Sequence, residues 1–182
     1  MPRRVSAALT AVLLVLVVVP CVALARGEER AQVVAGNVGR LYVGHVILTG
    51  QAAKPRGELR GTGSVTICID KVANSISFSF DQLLVSGRPT AGHIHLGTAG
   101  TAGRVVFPFA APGMIDPLAG EIQWSGTATA TKSAISSLIS NPRNYYVNVH
   151  TKKFPNGAVR GQLGPLKSVS AQDDIAVVCG TG

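Results

Sequence analysis

The sequence has few acidic residues: nine Asp and Glu stand against 17 Lys and Arg, giving a formal net charge of +8 over 182 residues. Most glycoside hydrolases need two carboxylates placed on either side of the scissile bond. Five acids lie inside the predicted folded domain, and those at 70 and 81 end or flank strands, which is typical of solvated residues: Glu58, Asp70, Asp81, Asp116 and Glu121. The shortage of acids argues against such an enzyme.

The sequence also lacks the short motifs of other catalytic and nucleotide-binding proteins. No Ser lies in a G-x-S-x-G turn, and no Ser/His/Asp set is indicated. The stretch 97–103, GTAGTAG, has no Lys-Ser/Thr pair of the kind that a phosphate-binding loop needs. The Lys and Arg residues are scattered without interleaved aromatic residues, so nucleic-acid binding is not expected. We assign no catalytic residue, and the sequence favours a non-enzymatic protein without excluding an enzyme.

No apolar run is long enough for an ordinary transmembrane helix. The longest, Val5–Val19, has about 15 residues, whereas a spanning helix needs roughly 20. Arg3-Arg4 precedes this run and Ala23-Leu24-Ala25 follows it, which is the pattern of a secretory signal peptide over residues 1–25. We expect cleavage there, followed by a flexible leader over 26–40, and a secreted protein with no remaining transmembrane segment. Retention as an anchor is the alternative.

Cysteine is scarce as well, with three in the chain. Cys21 is lost with the predicted signal peptide, which leaves Cys68 and Cys179 in an oxidising compartment. Alternation in the segment VTICID points Cys68 away from the core, and Cys179 is the fourth residue from the C-terminal end of the sequence. A disulfide between the two would fasten a C-terminal tail, residues 166–182, across the outside of the sheet. Two free thiols are the alternative.

Period-two alternation of apolar and polar residues runs through most of the remaining chain, over 41–165, and predicts strands. It is clearest at 75–84, where Ile76, Phe78 and Phe80 share one face. One helix is predicted over 131–140, with Thr131 as its N-cap. About eight short strands and one helix predict an all-β fold, an antiparallel sandwich or barrel of Greek-key type.

Three of the four histidines lie in two of these strands. His93 and His95 share one face of 91–97, and His150 lies in 145–151. If Ile94, Val147 and Val149 face the core, the three histidines lie on the outer faces of both strands. Four more residues are predicted on or near that face, as second-shell or ligand-facing groups: Tyr146, Asn148, Arg160 and Gln162.

Three imidazoles can chelate one metal ion if the second strand brings His150 beside the pair at 93 and 95. Neutral imidazole suits copper and zinc, and three ligands leave a fourth position open. The alternative is structural, with the rings hydrogen-bonded to one another or to backbone carbonyls. Alternation alone does not decide between them, so copper or zinc stays a hypothesis here.

Three longer motifs, AGHIHLGTAG, SNPRNYYVNVHT and FPNGAVRGQL, follow one another at 91–100, 140–151 and 154–163. In this order and spacing they resemble the CHRD domain, a module first recognised as repeats in chordin. The resemblance covers about 42–163. It implies an extracellular immunoglobulin-like β-sandwich of unassigned biochemical activity. The binding of bone morphogenetic proteins is not carried over, because it is attributed to chordin's cysteine-rich repeats, which are absent here.

The H-x-H strand and the later V-x-V-H strand are also similar, more distantly, to the copper side of Cu/Zn superoxide dismutases. That resemblance implies copper ligands at His93, His95 and His150. The sequence departs from the pattern, since no bridging histidine and no His-rich zinc loop follow the first pair.

The sequence therefore predicts a secreted CHRD-type module that binds or supports an extracellular protein or polysaccharide. Its basic charge is compatible with weak attraction to anionic wall polymers or sulfated glycans. The alternative function is a metal-binding protein with a three-histidine site, one that could have superoxide-related activity.

Overall fold

The structure is a computed structural model that describes residues 40–109, 122, 124–169 and 179. The predicted signal peptide, residues 26–39 of the leader, the loop over 110–120 and most of the C-terminal tail lie outside these residues. Within them are nine strands: β1 Leu41–Thr49, β2 Thr62–Asp70, β3 Ser75–Leu84, β4 Pro89–Leu96, β5 Val105–Pro108, β6 Trp124–Thr129, β7 Tyr145–Thr151, β8 Val159–Gln162 and β9 Lys167–Ser168. Short 3-10 turns span Gly50–Ala52 and Pro142–Asn144.

One short helix, α1 (Lys132–Ser140), connects β6 to β7. It begins where predicted: Thr131 is the N-cap, and its hydroxyl accepts a hydrogen bond from the amide of Ala134 at 3.3 Å. This satisfies one of the amides that the first turn leaves without an intrahelical partner. Ile135 and Leu138 lie on the buried face of the helix and anchor it to the core.

The strands pair in one antiparallel sheet with the order β5-β4-β7-β8-β1-β2-β3-β6, and β9 pairs with β1 at the side. The sheet curls so that its two ends approach each other. Across this gap the ring of Phe109, which follows β5, stacks on that of Phe78 at 4.1 Å and meets that of Trp124 edge-on at 6.1 Å. Gly92 permits the approach, since a Cβ there would lie 2.5 Å from the Trp124 ring. The result is a nearly closed, barrel-like sheet.

The all-β class and the single helix are confirmed, whereas the Greek-key, immunoglobulin-like sandwich is not. A sandwich needs two separate sheets packed face to face. Here the hydrogen-bonded order is continuous from β5 to β6. Alternation along a strand reports which face is buried but not which strand lies beside it.

The predicted inward faces are confirmed. The side chains at 76, 78 and 80 lie in the core, as do those at 65, 67 and 69 of β2. Cys68 points to the opposite face, where it forms a disulfide with Cys179 beside Val43. The segment predicted as a tail also contributes β9, and Val169 after it is buried.

Candidate functional site

The outer face of β4, β7 and β8 gathers all seven residues that the sequence singles out as a site. In the register of the sheet, His93 lies opposite Asn148 and His95 opposite Tyr146. β7 pairs with β8 on its other side. In that register Asn148 lies opposite Arg160, and Tyr146 lies opposite Gln162. The alternate residues Ile94, Val147 and Val149 are fully buried in the core, as predicted.

His93, His95 and His150 form one cluster in which a single ring nitrogen from each lies within 4.8 Å of the others. The shortest contact joins His93 Nδ1 and His150 Nε2 at 3.2 Å. His95 is 8% exposed, while the other two are half-buried. The cluster is therefore closed on the side of His95 and more accessible on the side of the other two.

Backbone carbonyls orient two of the three rings. His95 Nδ1 is 2.9 Å from the carbonyl oxygen of Gly103, and His150 Nδ1 is 2.8 Å from that of Pro155. A carbonyl oxygen only accepts, so in each ring Nδ1 carries the proton and donates. In the neutral form Nε2 of each ring is then a lone-pair acceptor.

The surroundings of His93 and His95 favour the neutral form of both rings. Burial, and then the charges that His150 and His95 carry when protonated, lower the pKa of His93 from its usual 6.5 to about 4. Burial also lowers the pKa of His95, opposed by its hydrogen bond to Gly103 and helped by the charges of His150 and Arg160. At neutral pH these rings therefore present lone pairs rather than positive charge.

The loop over 97–103, which we call the covering loop, lies over this face. Side chains of β7 and β8 hold the loop in place. Arg160 is 3% exposed and donates to the carbonyl oxygens of Thr101 at 2.7 Å and Thr98 at 2.9 Å. Its guanidinium lies 3.4 Å above the ring of Tyr146, which also stacks with His95 at 4.8 Å. Arg160 therefore ties the covering loop to the histidine cluster.

Gln162 and Tyr146 add further hydrogen bonds to the same loop. Gln162 Nε2 donates to the carbonyl oxygen of Gly97 at 2.9 Å, and the amide of Gly103 donates to the Tyr146 hydroxyl at 3.1 Å. Residues predicted as ligand-facing thus lie on the predicted face but contact the covering loop. A ligand-facing role for them stays a prediction.

Asn148, predicted to support a metal ligand, instead contacts the turn between β7 and β8. Its Nδ2 donates to the carbonyl oxygen of Asn156 at 3.3 Å. Gly157 has φ of +129° and its missing Cβ would lie 2.5 Å from Asn148 Oδ1, so the turn needs glycine there. This turn also supplies the Pro155 carbonyl that orients His150.

The carbonyl groups that orient the rings could not be predicted from the sequence, since any residue supplies a carbonyl. The signal that could have found them is the small-residue composition of GTAGTAG, which allows backbone to lie close to the sheet. His45, the fourth histidine, is exposed, lies outside the cluster, and is 3.0 Å from Thr66 Oγ1 through Nδ1.

The structure also collects basic residues that are scattered in the sequence. Three connections, β1–β2, β3–β4 and β7–β8, leave the sheet at the same end, and hydrogen bonds join them: the amide of Glu58 donates to the Ala158 carbonyl at 2.8 Å, and that of Ser86 to Glu58 Oε2 at 2.8 Å. We call this surface the basic end, after its six exposed cations: Lys54, Arg56, Arg60, Arg88, Lys152 and Lys153.

A nearly closed antiparallel sheet with a capped polar outer face defines a small β-rich module. The family model of the CHRD domain matches residues 45–163, so the chain belongs to the CHRD-domain family. No curated protein and no solved structure that was compared matches the chain. The family implies a module of unassigned activity. In the described residues, no helix has the length and apolar character needed to cross a membrane.

Proposed function

We propose that this chain is an exported CHRD module that binds an anionic extracellular polysaccharide through its basic end. The observation that carries the proposal is the gathering of six exposed Lys and Arg side chains on three connected loops. The same loops contain one acid, Glu58, whose carboxylate accepts hydrogen bonds from the amide and hydroxyl of Ser86.

Two independent features support export. Residues 1–25 have the charge and hydropathy pattern of a signal peptide. Cys68 and Cys179 are paired across 111 residues of sequence, and such pairs persist in oxidising compartments. An exported protein with an excess of cations meets the acidic polymers of cell surfaces and matrices.

Charge and accessibility support a polymer rather than a small ligand. The cations at the basic end lie on an exposed surface, not in a pocket that would enclose a small molecule. Lys54 and Arg56 are two residues apart in one loop, and Lys152 and Lys153 are adjacent in another. A flexible polyanion can contact all of them at once, and multiple weak contacts add in free energy.

The test is retention of the mature chain, without an affinity tag, on immobilised heparin and on immobilised polygalacturonate over a salt gradient. We expect retention that falls steeply with salt, since exposed charges are screened. The variant Lys54→Gln/Arg56→Gln/Lys152→Gln/Lys153→Gln should elute at markedly lower salt.

The opposite end of the sheet offers a matched control with the same loss of charge. Four of its exposed cations lie on separate connections and on the helix: Lys71, Arg104, Lys132 and Arg143. Replacing these four with Gln should change elution much less. Equal effects of both variants would show that net charge alone binds the polymer, and no retention of the parent protein on either polymer would overturn the proposal.

A further inference from the structure

We propose that His93, His95 and His150 bind one divalent transition-metal ion, Zn²⁺ or Cu²⁺, beneath the covering loop. This inference does not rest on the polysaccharide proposal, because the basic end contains none of the three histidines. It assigns a ligand to a cluster that the family does not explain.

The spacing of the three rings is close to what a metal ion requires. Nitrogen ligands about 2.0–2.1 Å from a tetrahedral zinc ion lie about 3.3 Å from one another. His93 Nδ1 and His150 Nε2 are 3.2 Å apart, at hydrogen-bonding distance, and one nitrogen from each of the three rings lies within 4.8 Å of those of the others. A bound ion would replace this hydrogen bond, and the proton that His93 Nδ1 donates to His150 would move to Nε2 of the His93 ring.

An unsatisfied buried atom points to a ligand independently of the spacing. His95 Nε2 is buried and, in the described part of the chain, has no hydrogen-bond partner. Because Nδ1 of the same ring donates to the carbonyl oxygen of Gly103, Nε2 has a lone pair. No described donor gives this lone pair a hydrogen bond. Burying such a group without a partner costs about 1–3 kcal/mol. A metal ion would satisfy it.

The hydrogen bonds of His95 and His150 to backbone carbonyls are of the kind that orient histidines in known metal sites. Histidines that bind metals almost always donate their other ring N–H to a carbonyl, a carboxylate or water, which fixes the tautomer and the ring orientation. Both His95 and His150 do so, to Gly103 and Pro155. The two rings therefore share the tautomer that leaves Nε2 without a proton, as ligation through Nε2 requires.

Charge and accessibility define the remaining coordination position. The three ligands are neutral, and the cluster includes no carboxylate, so a bound divalent ion keeps its positive charge. Water, hydroxide or a small anion then fits the fourth position, on the more exposed side near His93 and His150. The ligand set favours copper or zinc over calcium and magnesium, which prefer oxygen ligands.

The test uses the mature chain with its disulfide intact and no histidine tag, first stripped with EDTA. Calorimetric titration with ZnCl₂ and with CuSO₄, followed by dialysis and elemental analysis, should give one ion per chain. His93→Gln and His150→Gln should each weaken binding about a hundredfold or more, since each removes one of three ligands. Both residues are half-buried, so the metal-free variants should keep the parent's fold.

His45→Gln is the matched control, because His45 lies on β1 outside the cluster. It should bind metal with the parent's affinity and stoichiometry. A Co²⁺-loaded sample should show the intense visible bands of four-coordinate cobalt, which surface histidines do not give. The proposal is overturned if the folded parent retains no ion, or if affinity is unchanged in the double variant His93→Gln/His150→Gln.

Discussion

The outer face of β4, β7 and β8 with His93, His95 and His150, which we call the histidine face, and the basic end are both polar regions of one small sheet. They differ in whether their charged groups are buried or exposed. On the histidine face, burial lowers the pKa values of His93 and His95, and Arg160 is buried against backbone carbonyls. At the basic end, the cations are exposed, and the one acid in these loops is bound to Ser86.

The difference indicates two kinds of ligand. Neutral, preoriented lone pairs suit a small ion that replaces solvent, whereas exposed cations suit a large anion that approaches from solution. A buried cation such as Arg160 stabilises the fold, and an exposed one such as Lys152 contributes little to it.

Arg160→Met should lower the free energy of unfolding by about 3 kcal/mol, because two loop carbonyls lose a charge-assisted donor and a buried side chain loses its contacts. Lys152→Met should change it by less than about 0.5 kcal/mol. Urea denaturation of both variants measures the difference. Similar losses of unfolding free energy in the two variants would contradict the view that only the buried cation stabilises the fold.

The fourfold Gln variant of the basic end should bind heparin about tenfold more weakly or worse, since several contacts to one polymer are lost together. Its melting temperature should stay within about 2 °C of the parent's, because exposed charges contribute little to stability. Binding constants at fixed salt, paired with thermal scans, check both values. A large loss of stability would mean that these loops depend on their cations for folding.

The metal-free protein should become less stable as the pH falls from 6.5 to 4. His93 has a folded pKa of about 4 against 6.5 when unfolded, so the unfolded chain binds an extra proton in this range. His150 and His95, which face His93, add repulsion to its protonated form. After allowance for the exposed part of the ring, the loss should be about 1–2 kcal/mol.

Urea denaturation in EDTA at several pH values measures this slope. Carboxylates titrate near the lower end of the range, so the comparison variant is His93→Gln, which should show a shallower slope between pH 6.5 and 5. The same slope in both proteins would contradict the depressed pKa of His93.

Glu58→Gln should give the smallest effect, and one of opposite sign. Removing the one negative charge from the loops of the basic end should strengthen heparin binding about twofold at low salt. Gln keeps an acceptor for Ser86, so stability should change by less than about 0.5 kcal/mol. The same retention assay measures the change in heparin binding. Weaker binding by Glu58→Gln would contradict the expectation that a more positive potential at the basic end attracts the polymer.

The faces of the strands could be predicted from the sequence because burial on one side imposes alternation. Ile94, Val147 and Val149 are buried, and His93 and His95 lie on the other face, as the pattern indicates. The N-cap of α1 could be predicted as well, since Thr131 directly precedes the periodic apolar residues. These features are local, so a single segment contains the information.

The order of the strands and the closure of the sheet could not be predicted in this way. They depend on contacts such as that of Gly92 with Trp124, which lie far apart in the sequence. The covering loop was visible as GTAGTAG, but its hydrogen bonds to Arg160 depend on tertiary structure. The basic end was missed for the same reason, since its cations come from three separate connections.

We infer that the histidine face binds an ion and the basic end binds a polymer, each independently of the other. The most direct measurement is a heteronuclear NMR titration that follows the ring signals of all four histidines as Zn²⁺ and then heparin are added. We expect the ring signals of His93, His95 and His150 to shift together up to one equivalent of Zn²⁺. The signal of His45 should not shift, and heparin should leave the other three unchanged. Gradual shifts of all four rings with Zn²⁺, or displacement of the three by heparin, would contradict it.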